Sequence, residues 1–166
     1  MRYADFYDCD ICNGNSIGVS LFVQGCPLHC EGCFNPETWD FNNGKEWNSN
    51  SEEKFLSLIN REYIKRISIL GGSPLCDENA NDVLALVKKI KELHPDKKIW
   101  IYTGYTWEYL INKPIQKQII ELIDVLVDGR FECSKKDITL PWVGSSNQRV
   151  IDVQKTLENK EIVLWS

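Results

Sequence analysis

Short apolar runs alternate with amphipathic stretches along this chain, and that alternation sets its fold class. Val19-Ser20-Leu21-Phe22-Val23 reads as a buried strand. Phe55, Leu58, Ile59 and Tyr63 recur at helical spacing behind Asn50-Ser51-Glu52-Glu53, where a capping side chain and an acid mark a helix start. Ile67-Ser68-Ile69-Leu70 is a short strand that stops at Gly71-Gly72. A clearer helix spans 81–93, with Val83, Leu86, Val87 and Ile90 as its buried stripe. His94-Pro95-Asp96 ends it, because proline cannot continue the turn. Lys98-Ile99-Trp100-Ile101-Tyr102 is the next strand, closed by Thr103-Gly104. A helix over 115–123, a strand at Val125-Leu126-Val127 ending in Asp128-Gly129, and a terminal strand at 161–165 complete the pattern. The stretch 34–50, rich in Asn, Trp and Gly, reads as loop.

Strands alternating with helices imply right-handed β-α-β crossovers, and hence an α/β fold with a largely parallel sheet. With no repeat, low-complexity tract or linker, residues 1–166 read as a single domain. The carboxyl ends of the strands carry Gly25-Cys26, Gly71-Gly72, Thr103-Gly104 and Asp128-Gly129. In parallel α/β folds ligands bind at that edge, so the pattern converges on one site.

A net charge of −5 argues against nucleic acid as the partner, since phosphate binding needs a basic field. The local clusters Lys88-Lys89-Lys91, Lys97-Lys98 and Lys135-Lys136 read as solvated faces. No run is long and apolar enough to span a membrane. No secretory leader follows Met1, and seven cysteines without a leader suit a reducing interior, so the expected compartment is the cytoplasm.

Cys26-Pro27-Leu28-His29-Cys30-Glu31-Gly32-Cys33 has the spacing C-x3-C-x2-C, directly after a strand. Three thiolates on one loop can hold three corners of an iron–sulfur cube, leaving its fourth iron open to a small molecule. Zinc is the alternative, with Cys9-Asp10-Ile11-Cys12 or His29 supplying a fourth ligand, because structural zinc sites are closed tetrahedra. Unliganded thiols are the third reading.

The cysteine loop followed by Gly71-Gly72-Ser73-Pro74 resembles the radical S-adenosylmethionine superfamily. Phe22-Val23-Gln24-Gly25-Cys26, Gly32-Cys33-Phe34-Asn35 and Thr38-Trp39 narrow that likeness. So do Trp100-Ile101-Tyr102-Thr103-Gly104-Tyr105, Val127-Asp128-Gly129-Arg130-Phe131 and Gly144-Ser145-Ser146-Asn147-Gln148-Arg149. Together they are similar to the family of anaerobic ribonucleoside-triphosphate reductase activating proteins, which are glycyl-radical activating enzymes. The resemblance implies an incomplete radical-SAM α/β barrel and two cofactors, a 4Fe-4S cluster and S-adenosyl-L-methionine. It implies reductive cleavage of the latter to a 5′-deoxyadenosyl radical, which forms a glycyl radical on the reductase. A one-electron donor such as flavodoxin is the second expected partner.

On that resemblance Cys26, Cys30 and Cys33 are the metal ligands, and no catalytic residue is expected beyond the cluster and cofactor. Gly71 and Gly72 let backbone carbonyls approach the cofactor's ammonium group, while Gly32, Cys33 and Phe34 pack its adenine end. Thr103 and Asp128 are read as contacts to the ribose or to a cation beside the cofactor, with a turn role as the alternative. Ser73 departs from the family's acid and weakens the charge offered to the ammonium. Cys76 reads as packing and His29 as pocket lining. Cys9 and Cys12 read as buried or partner-facing thiols, with a second metal site as the alternative; Cys133 has no evident partner, and exposed tryptophans are expected to anchor the reductase. Two rival functions remain: activation of a different glycyl-radical enzyme, and a non-catalytic zinc or electron-transfer module.

Overall fold

The computed structural model describes residues 1–166 and places seven strands in one open sheet. In chain order the elements are β1 (Arg2–Asp10), β2 (Gly18–Gln24), β3 (Lys45–Glu46), α1 (Ser49–Ile59), β4 (Arg66–Gly71) and α2 (Asp77–Leu93). They continue with β5 (Lys98–Tyr102), α3 (Trp107–Leu110), α4 (Pro114–Leu122), β6 (Val125–Asp128), β7 (Arg149–Asp152) and α5 (Val153–Asn159). The sheet order is β3-β1-β2-β4-β5-β6-β7. Neighbours among β2, β4, β5 and β6 pair parallel, and the helices between them make the crossovers. β1 with β2, β3 with β1, and β7 with β6 pair antiparallel. The sheet is therefore open and mixed, with the expected parallel arrangement at its centre and antiparallel edges.

Alternation along the central strands gives the sheet two different faces. Val19, Leu21, Val23, Ile67, Ile69, Ile99, Ile101 and Leu126 are fully buried on the helix-covered face, against Phe55, Ile59, Val83, Leu86, Val87, Ile90, Ile119 and Ile120. The other face carries Ser20, Arg66, Ser68, Trp100, Tyr102, Val125 and Val127. There Trp100 packs edge-on against Trp142 and Trp165, at 5.2 and 5.7 Å between ring centroids.

At the amino end of that second face Asp10, Ser20, Arg66 and Ser68 form a buried polar knot. Burial alone would raise the Asp10 pKa. Hydrogen bonds from Ser20, Asn13 and the Cys12 amide, together with the Arg66 charge, outweigh it and hold the carboxyl below its ordinary value. A depressed folded-state pKa gives stability that is complete above the unfolded value and is lost as pH falls through the folded one. Asp10→Asn is therefore expected to cost about 1.5–3 kcal/mol at neutral pH, the scale of charge-assisted hydrogen bonds. The deficit should shrink in acid below the carboxylate range, as read by urea unfolding at pH 7 and pH 3.

Several sequence-based boundaries shift. α1 starts earlier than expected, at Ser49, because Asn48 and Ser51 form a reciprocal capping box; Tyr63 lies beyond its end. α2 begins at Asp77 instead of 81. The predicted strand over 161–165 makes only a single bridge, Leu164 to Ile151, and the true edge strand is β7. Lys97 is buried, with its ammonium donating to the carbonyls of Ile59 and Arg61, so of that pair only Lys98 is solvated. Of the six tryptophans Trp100 and Trp107 are buried and the other four are partly exposed. No helix is long and apolar enough to cross a membrane.

Candidate functional site

The carboxyl ends of β2, β4, β5 and β6 meet at one mouth, and the cysteine loop folds over it. After β2 the chain turns at Gly25, whose φ of 99° is a left-handed conformation that favours glycine. The Gly25 amide donates to the Thr38 carbonyl at 2.7 Å and the Cys26 amide to the Trp39 carbonyl at 3.1 Å. These bonds fix the first cysteine to the returning chain. Within the loop the Cys33 amide donates to the Cys30 carbonyl at 3.1 Å, with Gly32 at φ 74° between them.

Cys26, Cys30 and Cys33 consequently line one cavity of about 150 Å³, together with Trp39, Gly71, Gly72, Tyr102 and Thr103. Burial pushes the Cys26 thiol up and the neighbouring Cys30 and Cys33 add to it, against the Leu28 and His29 amides. The Asn35 amide points at Cys33 Sγ, 3.4 Å away. No three His, Cys, Asp or Glu side chains converge on one point as a single ion would require. Zinc needs its ligands within about 2.0–2.3 Å of one centre. Three thiols on one cavity, with amides directed at sulfur, suit a cluster in which each thiolate binds a different iron.

The opposite wall is the end of β4. A Cβ on Gly71 would lie 2.7 Å from the Val23 nitrogen, and one on Gly72 only 2.5 Å from the Gly25 carbonyl oxygen. Glycines are therefore needed where this wall approaches the chain that carries Cys26. The Gly72 and Ser73 amides donate to the Val23 and Gly25 carbonyls at 2.7 and 2.8 Å. Buried Asn79 donates to Gln24, Gly25 and Ser73 carbonyls, while Gln24 donates to those of Glu37 and Asp40. The sequence pattern, which starts α2 after Asn79, does not show that amide, and it shows Gln24 only as part of the motif at 22–26. Gly72→Ala is expected to push the Cys26 strap outward, lowering iron bound per chain by about half or more and stability by roughly 1–3 kcal/mol. Iron analysis after anaerobic reconstitution and a denaturant titration check this.

A second cavity, of about 500 Å³, adjoins the first and shares Asn35, Leu70, Tyr102, Phe131 and Gln148 with it. Tyr7, Phe22, Phe34 and Trp142 make it largely apolar. The Tyr102 hydroxyl is buried between the two without a partner, and burial pushes its pKa up.

A family model described as a 4Fe-4S single cluster domain matches residues 12–151. The chain is 44% identical to the anaerobic ribonucleoside-triphosphate reductase-activating protein of Salmonella typhimurium, over 90% of this chain and 97% of that one. It is 43% identical to the protein of that name from Escherichia coli K12, with the same coverage. To the one from Enterobacteria phage T4 it is 37% identical, over 90% of this chain and 93% of the relative. The chain belongs to the anaerobic ribonucleoside-triphosphate reductase-activating protein family.

In this activating-protein chain the tail segment 144–149 is a clasp. Gln148 Oε1 accepts from the Gly144 and Ser145 amides at 2.8 and 3.2 Å, and its Nε2 donates to the Gly129 carbonyl at 2.9 Å. Asn147 donates to the Arg130 carbonyl at 2.7 Å, and Arg130 in turn to the Leu28 carbonyl at 3.3 Å, inside the cysteine loop. Arg149 bridges Glu108 and Asp128.

The other expected contacts fall at varied distances from the cluster cavity. Thr103 lines it, and its hydroxyl accepts from the Tyr105 amide at 3.2 Å. Asp128 is 1% exposed and held by Arg149 and by the Trp107 amide at 2.8 Å, beside a different cavity of about 600 Å³. Ser73 is 1% exposed with its hydroxyl unpartnered, and it lines none of the cavities described here. Phe34 faces the adjoining cavity, its ring 5.0 Å from that of Phe131. A Cβ on Gly32 would sit 3.2 Å from Cys133 Sγ, so Cys133 backs the loop. His29 stacks on Trp39 instead of lining the cavity. Cys9 and Cys12 are exposed, and Cys12 borders the apolar cavity. Cys76 is buried packing, its thiol pushed up to about 12 by burial.

Proposed function

We propose that this protein is a radical S-adenosylmethionine enzyme that generates a glycyl radical on an anaerobic ribonucleoside-triphosphate reductase. Three half-buried thiols of one loop, gathered on one cavity opposite Gly71-Gly72, carry the reading. When bound, the 4Fe-4S cluster and S-adenosylmethionine supply one-electron cleavage to methionine and a 5′-deoxyadenosyl radical, which takes hydrogen from a glycine Cα of the reductase. Cys26, Cys30 and Cys33 would hold the cluster by three thiolates, leaving part of it open to S-adenosylmethionine. Gly72 keeps the opposite wall free of a side chain, and Thr103 closes the floor.

The adjoining apolar cavity, lined by Phe34 and Trp142, is the space we assign to the reductase segment. The curved face carrying Trp100 and Tyr102 is read as an incomplete barrel, open at the sheet edges. The electron comes from a low-potential carrier such as a flavodoxin, and the seven unpaired thiols suit the cytoplasm. The test is anaerobic incubation of cluster-loaded protein with the reductase, S-adenosylmethionine and a reductant. A glycine-centred doublet in electron paramagnetic resonance, with one 5′-deoxyadenosine per radical, is expected. A cluster-loaded protein that yields neither overturns the reading.

A further inference from the structure

Gln148 lines both the cysteine cavity and the adjoining apolar one, and its side-chain amide is engaged with backbone. Oε1 accepts from the Gly144 and Ser145 amides, and Nε2 donates to the Gly129 carbonyl. One side chain therefore ties the 144–148 turn to the residue that follows β6. Ser145 is fully buried, so losing these bonds leaves backbone groups that water cannot easily satisfy.

That turn presses on a wall common to the two cavities. A Cβ on Gly144 would lie 2.5 Å from Phe34 Cε2 and 3.0 Å from Phe131 Cδ2, so its backbone rests on both rings. The rings themselves meet at 5.0 Å between centroids. Through its opposite edge Phe131 reaches the cysteine loop, with Cε1 at 3.4 Å from where a Gly32 Cβ would be. Phe34 directly follows Cys33 and lines the apolar cavity, while Phe131 lines both. The ring pair is thus packed between the tail turn and the loop that carries the thiols, and Gln148 fixes the tail turn.

We propose that Gln148 is a positioning residue for hydrogen-atom transfer, holding the Phe34–Phe131 wall so that the groups occupying the two cavities stay in register. The inference rests on the function proposed above, with S-adenosylmethionine at the cysteine cavity and the reductase glycine in the apolar one. In register, one hydrogen atom moves from the glycine Cα to the 5′ carbon, leaving one glycyl radical per 5′-deoxyadenosine. Out of register, the 5′ carbon takes its hydrogen atom from another C–H or S–H group. 5′-Deoxyadenosine still forms, and the unpaired electron ends elsewhere. A misplacement of about 1 Å is enough to disfavour such a transfer strongly.

The test compares the full-length wild type, Gln148→Leu and Gly144→Ala, each reconstituted and supplied with reductase, S-adenosylmethionine and reductant. Gln148→Leu removes the three hydrogen bonds at similar volume. Gly144→Ala keeps them and displaces the rings directly, at a glycine outside the left-handed region. In both, 5′-deoxyadenosine per glycyl radical is expected to rise about tenfold at wild-type iron content. The double variant should rise by less than the product of the two, because both act on one wall. General loss of structure would lower both products and leave their ratio near that of the wild type. A second readout needs no turnover. By deuterium exchange the Gly144 and Ser145 amides should be protected in the wild type and exchange about tenfold faster in Gln148→Leu. Unchanged ratios in both variants, or unprotected Gly144 and Ser145 amides in the wild type, overturn the inference and leave the proposed function standing. If one variant loses iron, the other and the wild-type exchange decide. A wild-type chain that forms no glycyl radical overturns the proposed function and this inference together.

Discussion

Alanine in place of Cys26, Cys30 or Cys33, one at a time, is expected to cut glycyl-radical formation by about a thousandfold or more, equivalent to roughly 4 kcal/mol of lost transition-state stabilisation. The loop offers one thiol per iron, and no other cysteine lines their cavity to replace a missing one. Each variant should also bind less iron after reconstitution, because a cluster held by two thiolates is exposed on two corners. The contrast with the remaining cysteines makes the expectation sharp. Cys76→Ala removes a buried, protonated thiol and should cost about 1 kcal/mol of stability with the radical yield retained. Cys9→Ala alters an exposed position at the end of β1 and should leave the yield unchanged. A cavity-lining variant that keeps even a tenth of the wild-type radical per chain would contradict the three-thiol assignment.

How much of this was legible in the sequence depended on where local chemistry determines structure. The parallel centre was readable because Val19, Leu21, Ile67, Ile69, Ile99 and Ile101 sit in short apolar runs closed by Gly25, Gly71 and Gly104. β1 was not. Bulges between Tyr3 and Asp5 and between Tyr7 and Asp10 break its period-two pattern, so Tyr3 and Phe6 stack at 5.5 Å despite odd spacing. β7 was hidden by its length: Arg149 to Asp152 offers four residues, and Asp152 at once caps the following helix. The apolar run 161–165 looked more like a strand, yet only Leu164 bridges to the sheet.

The site divides in the same way. Cys26, Cys30, Cys33 and Gly72 were visible because spacing and backbone approach are local properties. Asn79, Gln24 and Trp39 act through contacts with carbonyls or rings ten or more residues away, which no spacing reveals. Asp128 shows the same limit. Its place at a strand end suggests a ligand contact or a turn role, and its bonds from Arg149 and the Trp107 amide, about twenty residues away in the chain, are not announced by any spacing.

Arg66→Ala is expected to be among the most damaging single changes away from the cysteine loop, costing about 3–5 kcal/mol, the usual penalty for removing one member of a buried charged network. Arg66 is 0% exposed, in the middle of the sheet, where a cation is tolerated only if its donors are matched. They are matched by the loop between β1 and β2. Nε donates to the Asn15 carbonyl and Nη1 to the Asn13 carbonyl, both at 2.9 Å, and Nη2 to the Asp10 carbonyl at 2.6 Å. Ser68 takes a further bond, and the Asp10 carboxylate adds its charge. Gly14 and Gly18 belong to the same design, because a Cβ on either would lie 2.5 or 2.8 Å from the Arg66 side chain. The guanidinium therefore shapes residues 10–18 as a mould shapes a cast, and Cys12 is carried with them to the rim of the apolar cavity. Alanine would leave a void and at least three carbonyls without donors. Methionine fills the volume but not the bonds, so Arg66→Met should recover only part of the loss. At about 2–4 °C per kcal/mol for a chain of this size, the alanine variant should melt roughly 10 °C lower. Thermal unfolding followed by circular dichroism decides it. A melting temperature within about 2 °C of wild type would mean that the loop holds its shape without the arginine.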